Sequence, residues 1–150
     1  MAFWFQFVFP NISYIESGHK ETAMKKISAN LMDSHVSYVY EDICLEKMWN
    51  LNAGDTWDFC FDKAGRWWDN NNEIDMVAID SSGKDIIFGE CKYWNKVVGT
   101  AVFNELEQKA DKVDWMKSER RNHFILFSIN GFSDELKELA KIRKDLILMS

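Results

Sequence analysis

The sequence predicts an α/β protein: a mixed sheet, antiparallel in its first part and parallel in its second, flanked by helices. Three observations carry this. Short aromatic and β-branched runs between residues 56 and 93 are separated by tight polar turns, as in an antiparallel meander. A polar helical stretch at 101–117 then leads to a continuous apolar run at 122–129, and a crossover of that length implies parallel pairing. Helical patterns also precede the meander and follow the apolar run.

The 150 residues are 47% hydrophobic and 15% aromatic, enough for one domain with a sizeable core. One proline and seven glycines argue against disorder, and no internal repeat is present. The formal net charge of −6 is that of neither a nucleic-acid coat protein nor a broadly basic surface, so any affinity for nucleic acid must be local or assisted. The three cysteines, Cys44, Cys60 and Cys91, form no C-x-x-C pair, and His19, His35 and His123 are scattered. These patterns predict reduced thiols, no zinc site and no catalytic triad. No apolar run approaches the roughly 20 residues of a membrane span, and a cytoplasmic location is expected.

Along the chain, Phe3, Phe5, Phe7 and Phe9 share one alternating set with Trp4 on the other, and Pro10-Asn11 breaks the run. A weakly amphipathic helix is predicted over 16–31. A stronger one is predicted over 34–51, with Ser34 as N-cap and Val36, Val39, Tyr40, Ile43, Cys44 and Met48 facing the core. Strands are predicted at 56–62, after a turn at 63–65 at 66–69, and after Asn70-Asn71-Asn72 at 74–79. A hairpin loop at 81–84 leads to a strand at 85–93. The apolar run at 122–129 reads as a buried strand, followed by a helix at 133–143 and a strand at 146–149.

Residues 73–92, EIDMVAIDSSGKDIIFGECK, carry the chemistry. Residues two apart share a strand face, so Ile86, Phe88, Glu90 and Lys92 point one way and Cys91 the other. Two charges at the end of an apolar face need a cleft, a metal or partner charges. Antiparallel pairing through the loop brings Asp75 towards Glu90. Two carboxylates and a lysine are the parts of metal-assisted phosphodiester hydrolysis: hard oxygen ligands for Mg²⁺ or Mn²⁺, and a cation to serve the attacking water. A structural salt-bridge network would use the same residues. Trp67-Trp68 could stack bases or divide between core and interface. Lys117, Arg120 and Arg121 could meet phosphates or simply a helix C-terminus.

GRWWDNNNEIDMVAID (65–80) and IIFGECKYW (86–94) resemble the C-terminal domain of a family of prokaryotic ATPases often called archaeal ATPases. In that family a P-loop ATPase and a winged-helix segment precede a PD-(D/E)XK, restriction-endonuclease-like domain. FWFQFVFPN (3–11) resembles the stretch upstream of that domain, and YEDICLEKM (40–48) its first helix. The resemblance spans nearly the whole chain and loosens after residue 100. It implies a connector over 1–32 and a nuclease-like domain over 33–150. It makes Asp75 and Glu90 metal ligands, with the Cys91 carbonyl and Glu41 in support, and Lys92 the lysine of the site. Glu73, Gln108 and Arg66 become supporting or substrate-contacting residues.

The implied function is a Mg²⁺- or Mn²⁺-dependent endonuclease acting on DNA. The alternative is a nuclease fold kept as a silent DNA- or protein-binding module that regulates an ATPase. No G-x-x-x-x-G-K-[ST] occurs, so ATP hydrolysis is not expected of this chain. The implied partners are nucleic acid and upstream ATPase and winged-helix segments. In their absence the strip at residues 2–10 is expected to pair with a second copy, as a homodimer.

Overall fold

A computed structural model describes residues 18–150, apart from the Met32 side chain. The aromatic run at 3–9, and the expectations tied to it, lie outside the described residues. The chain divides into two compact units at Tyr40/Glu41. In the first, the described residues are helical from Lys20, the start of α1 (Lys20–Asn52).

Two helices were expected where α1 runs unbroken. Ser34 is therefore an interior residue and not an N-cap. Nearby, the Ser37 hydroxyl donates to the Asp33 carbonyl one turn back (2.7 Å), a use of serine compatible with a continuing helix. The expected core stripe also holds only in part. Cys44 and Met48 are buried, but Val39 and Ile43 are exposed.

The second unit, residues 41–150, contains the sheet. After α1 come β1 (Lys63–Trp68), β2 (Glu73–Ile79), β3 (Asp85–Lys92), α2 (Thr100–Ala110), β4 (Arg121–Ser128), α3 (Asp134–Ile142) and β5 (Leu146–Met149). Spatial order follows chain order, β1-β2-β3-β4-β5. The first three strands pair antiparallel and the last three parallel, so the expected mixed sheet flanked by helices is present.

Three boundaries differ from expectation. Residues 56–62 are not a strand. The Asn52 side chain captures the Phe61 backbone there, donating to its carbonyl (2.8 Å) and accepting from its N–H (2.9 Å). Residues 63–65, expected as a turn, open β1 instead. The helix expected over 101–117 ends at Ala110, where Arg120 donates to the carbonyls of Ala110, Val113 and Trp115 at 2.6–2.8 Å. That guanidinium takes up the partial negative charge of the helix C-terminus.

The register of β4 against β3 is held by a buried carboxylate. Asp85 accepts from Arg121, its register partner, at 2.6 Å, and its other oxygen lies 2.8 Å from His123 Nε2. Burial would raise the Asp85 pKa, but these bonds outweigh it and hold the carboxyl below its ordinary value. The core on the α2 and α3 side includes Phe88, Phe103, Leu106, Phe124, Leu126 and Leu136. Ser133 caps α3, accepting from the Leu136 N–H, with Asp134 and Glu135 in the favourable first turn.

Candidate functional site

β3 is buried along almost its whole length, and only Lys92 at its end reaches intermediate exposure. In open α/β sheets, ligand sites form at the carboxyl ends of such strands. Glu90 and Lys92 stand there on the face that also carries Ile86 and Phe88. Gly89, on the opposite face, lets neighbouring strands close in. A Cβ at that position would lie 2.8 Å from the Met76 side chain and 3.1 Å from that of Ile125.

Asp75 reaches the same place through the hairpin. The β2–β3 ladder ends at Met76↔Gly89, and one further step of that register sets Asp75 across from Glu90. A bulge re-aims the strand at this point. Between Gly65↔Val77 and Trp67↔Ile74, Arg66 alone faces both Asp75 and Met76. Bulges bend a strand and turn side chains at sites of this kind. The Asp75 carboxylate accepts from the Cys91 N–H at 2.8 Å, which ties it to the residue between Glu90 and Lys92. Burial and the Glu90 charge push the Asp75 pKa up to about 6, against the opposing Cys91 hydrogen bond and Lys92.

Glu90 is 4% exposed. Its Oε1 receives two ammonium groups, Lys92 Nζ at 3.0 Å and Lys109 Nζ at 3.1 Å. Its Oε2 is buried without a hydrogen-bond partner among the described residues, as is the Ser128 hydroxyl. Ser128 is the register partner of Lys92, so both unpartnered oxygens occupy the same end of the sheet. Native interiors leave few such atoms unsatisfied. Burial alone would lower the Lys109 pKa, but the Glu90 carboxylate overrides it and raises the pKa.

Glu41, on α1, forms an ion pair with Arg66 at 2.6 Å. Burial raises its pKa, and Arg66 opposes the rise. Cys91 approaches Cys44 from the other side of β3. A hydrogen bond to Cys44, with burial, pushes its thiol pKa well above the ordinary value.

The structure thus gathers Asp75, Glu90, Lys92 and the Cys91 backbone, with the Glu41–Arg66 pair beside them. Glu73 is exposed at the start of β2. Gln108 is exposed on α2 and lines a separate cleft of about 600 Å³ with Asn104, Asn122, Arg143 and Asp145. Trp67 packs partly on the core while Trp68 is exposed. Arg120 and Arg121 are engaged by carbonyls and by Asp85.

Lys109 is the residue that sequence reasoning missed. Its signal was faint: a lysine one turn after Glu105 on a helix usually reads as a solvated i,i+4 pair, and that pair is present as well at 3.4 Å. Among the described residues, no cluster of three or more His, Cys, Asp or Glu side chains is arranged to hold a metal ion. No described helix is long and apolar enough to cross a membrane.

By fold and site this is a mixed α/β domain with a buried acid–lysine cluster at the carboxyl end of its central strand. The family described as "Archaea bacterial proteins of unknown function" (DUF234) matches residues 4–114, and the chain belongs to it. It is also similar to "Uncharacterized protein MJECL04" of Methanocaldococcus jannaschii, at 34% identity over 93 residues. That match covers 62% of this chain and 20% of the relative, so the chain spans about a fifth of that protein's length. No solved structure matches the chain.

Proposed function

We propose that the 41–150 unit is a restriction-endonuclease-like domain that hydrolyses phosphodiester bonds in DNA with Mg²⁺ or Mn²⁺. The observation that carries this reading is the buried, unpartnered Oε2 of Glu90, across the hairpin from Asp75 and beside Lys92. A hard divalent cation fits this donor set. It would satisfy the orphaned oxygen, offset the burial and the Glu90 repulsion that together raise the Asp75 pKa, and accept a backbone carbonyl such as that of Cys91. Asp75 and Glu90 would hold the ion, with Glu41 in reserve behind Arg66. When bound, such an ion lowers the pKa of a water and screens charge at phosphorus. The chain's own part is positional. The Cys91 N–H orients Asp75, Lys109 retains Glu90, and Lys92 Nζ is left to steer the water or neutralise the phosphate.

A second reading, a silent nuclease-fold module that regulates an ATPase, draws on a different observation. The site's cations already answer its carboxylates: Lys92 and Lys109 at Glu90, Arg66 at Glu41. The distinguishing experiment is a thermal melt of chelator-treated protein with and without Mn²⁺, alongside a nicking assay. Under the nuclease reading Mn²⁺ raises the melting temperature, because it binds only the folded state, and Asp75→Asn abolishes the gain. Lys92→Ala keeps the gain and loses cleavage. A melting shift unchanged in Asp75→Asn moves the ion elsewhere. Absence of metal-dependent cleavage in the wild type leaves the silent module.

A further inference from the structure

Immediately after Lys92 the chain leaves the sheet in a loop, residues 93–97, pinned on three sides. At its start the Ile129 N–H donates to the Lys92 carbonyl (3.4 Å). At its end Val98 bridges to Phe132, with the Val98 N–H on the Gly131 carbonyl (3.0 Å) and the Ser133 N–H on the Val98 carbonyl (2.9 Å). In its middle the Asn130 side-chain amide donates to the Trp94 carbonyl. A loop tied this way presents its side chains in a fixed place, beside Lys92 of the acid–lysine cluster.

What it presents is one indole with two lysine ammonium groups over its ring. Lys92 Nζ lies 5.3 Å from the Trp94 ring centroid and Lys96 Nζ lies 4.8 Å from it. Both separations are within cation–π range. Trp94 is 37% exposed and Tyr93 beside it 45%. In a chain of net charge −6, two lysines on one exposed ring form a local basic spot beside the site.

We infer that Trp94 and Lys96 form a platform for one unpaired nucleotide, the base taking the place of the Lys96 ammonium over the indole and the released ammonium meeting the flanking phosphate. The inference rests on the phosphodiesterase reading for the identity of the neighbouring site and deepens it by naming the substrate class: single-stranded or frayed nucleic acid. A paired base has its faces occupied by its neighbours, whereas an unpaired base offers a π-face to an aromatic side chain. Lys92 connects the two functions, touching both Glu90 and the Trp94 ring.

The test is fluorescence anisotropy of a labelled 15-nucleotide single-stranded DNA, and of the same sequence closed into a hairpin duplex, in EDTA at low salt. The single strand should bind at least about five-fold tighter than the duplex. Trp94→Ala should weaken it about ten-fold or more, while Trp94→Phe retains most of the affinity. Lys96→Ala should weaken it and reduce the salt slope by about 0.7, the increment for one phosphate contact on a single strand. Equal affinity for duplex, or unchanged binding in Trp94→Ala, overturns the platform. So does an effect of Trp94→Ala on sedimentation in place of DNA affinity, which would make the ring a protein contact. Because binding is read without metal, the two proposals fail separately. Binding without cleavage removes only the nuclease, and cleavage with an indifferent Trp94 removes only the platform.

Discussion

Lys109 and Lys92 share a single oxygen of Glu90, at 3.1 and 3.0 Å, and Lys109 reaches it from a helix 19 residues away in sequence. One buried carboxylate is thereby fastened to the end of its own strand and to α2. Lys109→Met should destabilise the domain by about 1–3 kcal/mol, the range for a charged hydrogen bond lost from a partly buried site. Urea denaturation of Lys109→Met, Glu90→Gln and the double variant measures the coupling. The double variant should cost clearly less than the sum of the singles. Strict additivity would mean that the two side chains do not depend on each other.

Asp75 gives the domain a distinctive pH response. Its pKa rises from 3.8 to about 6, so between these values the folded state holds a proton that the unfolded chain has released. The stability associated with this group is therefore fully present below the unfolded pKa and is lost as pH rises through about 6. A rise of that size corresponds to about 3 kcal/mol. Metal-free Asp75→Asn should melt above the wild type at about pH 8, and the gap should close towards about pH 4. A gap independent of pH would assign the proton to another group.

The three thiols should separate by reactivity. Cys60 is exposed, whereas Cys44 and Cys91 are buried against each other. A disulfide reagent at neutral pH should titrate one thiol rapidly in the native protein and three in denaturant, since the thiolate is the reacting species. Cys60→Ser should remove the fast phase. Two fast thiols in the native state would contradict the burial of the Cys44–Cys91 pair.

The hairpin that builds the site was legible in the sequence because its signals are local. Apolar alternation over 74–79, a four-residue loop at 81–84 and the E-x-K spacing fix faces and register within 20 residues, and the Asp75-to-Glu90 juxtaposition follows from that register. The parallel strands were legible because a helix must intervene between them. Other features depend on partners distant in sequence. The Glu41–Arg66 and Glu90–Lys109 pairs join residues 25 and 19 apart on different elements. The aromatic run at 56–62 has the composition of a strand, but the Asn52 amide takes the Phe61 backbone groups that a ladder would have used. At residue 34, serine, often a helix-starting signal, lies within a helix that simply continues.

The bulge opposite Arg66 also bears on how the sheet meets other chains. Among the described residues β1 is an outer strand, and the outer strand of a sheet is a template onto which a foreign strand can add. Here that template is six residues long and carries the charges of Lys63 and Arg66, and its inner neighbour β2 bulges where Asp75 and Met76 share Arg66 as partner. A strand this short, with charges along it, offers an incoming strand little to pair with. The residue that faces the bulge, Arg66, thus also sets a charge on the border of the sheet, where charge disfavours edge-to-edge pairing.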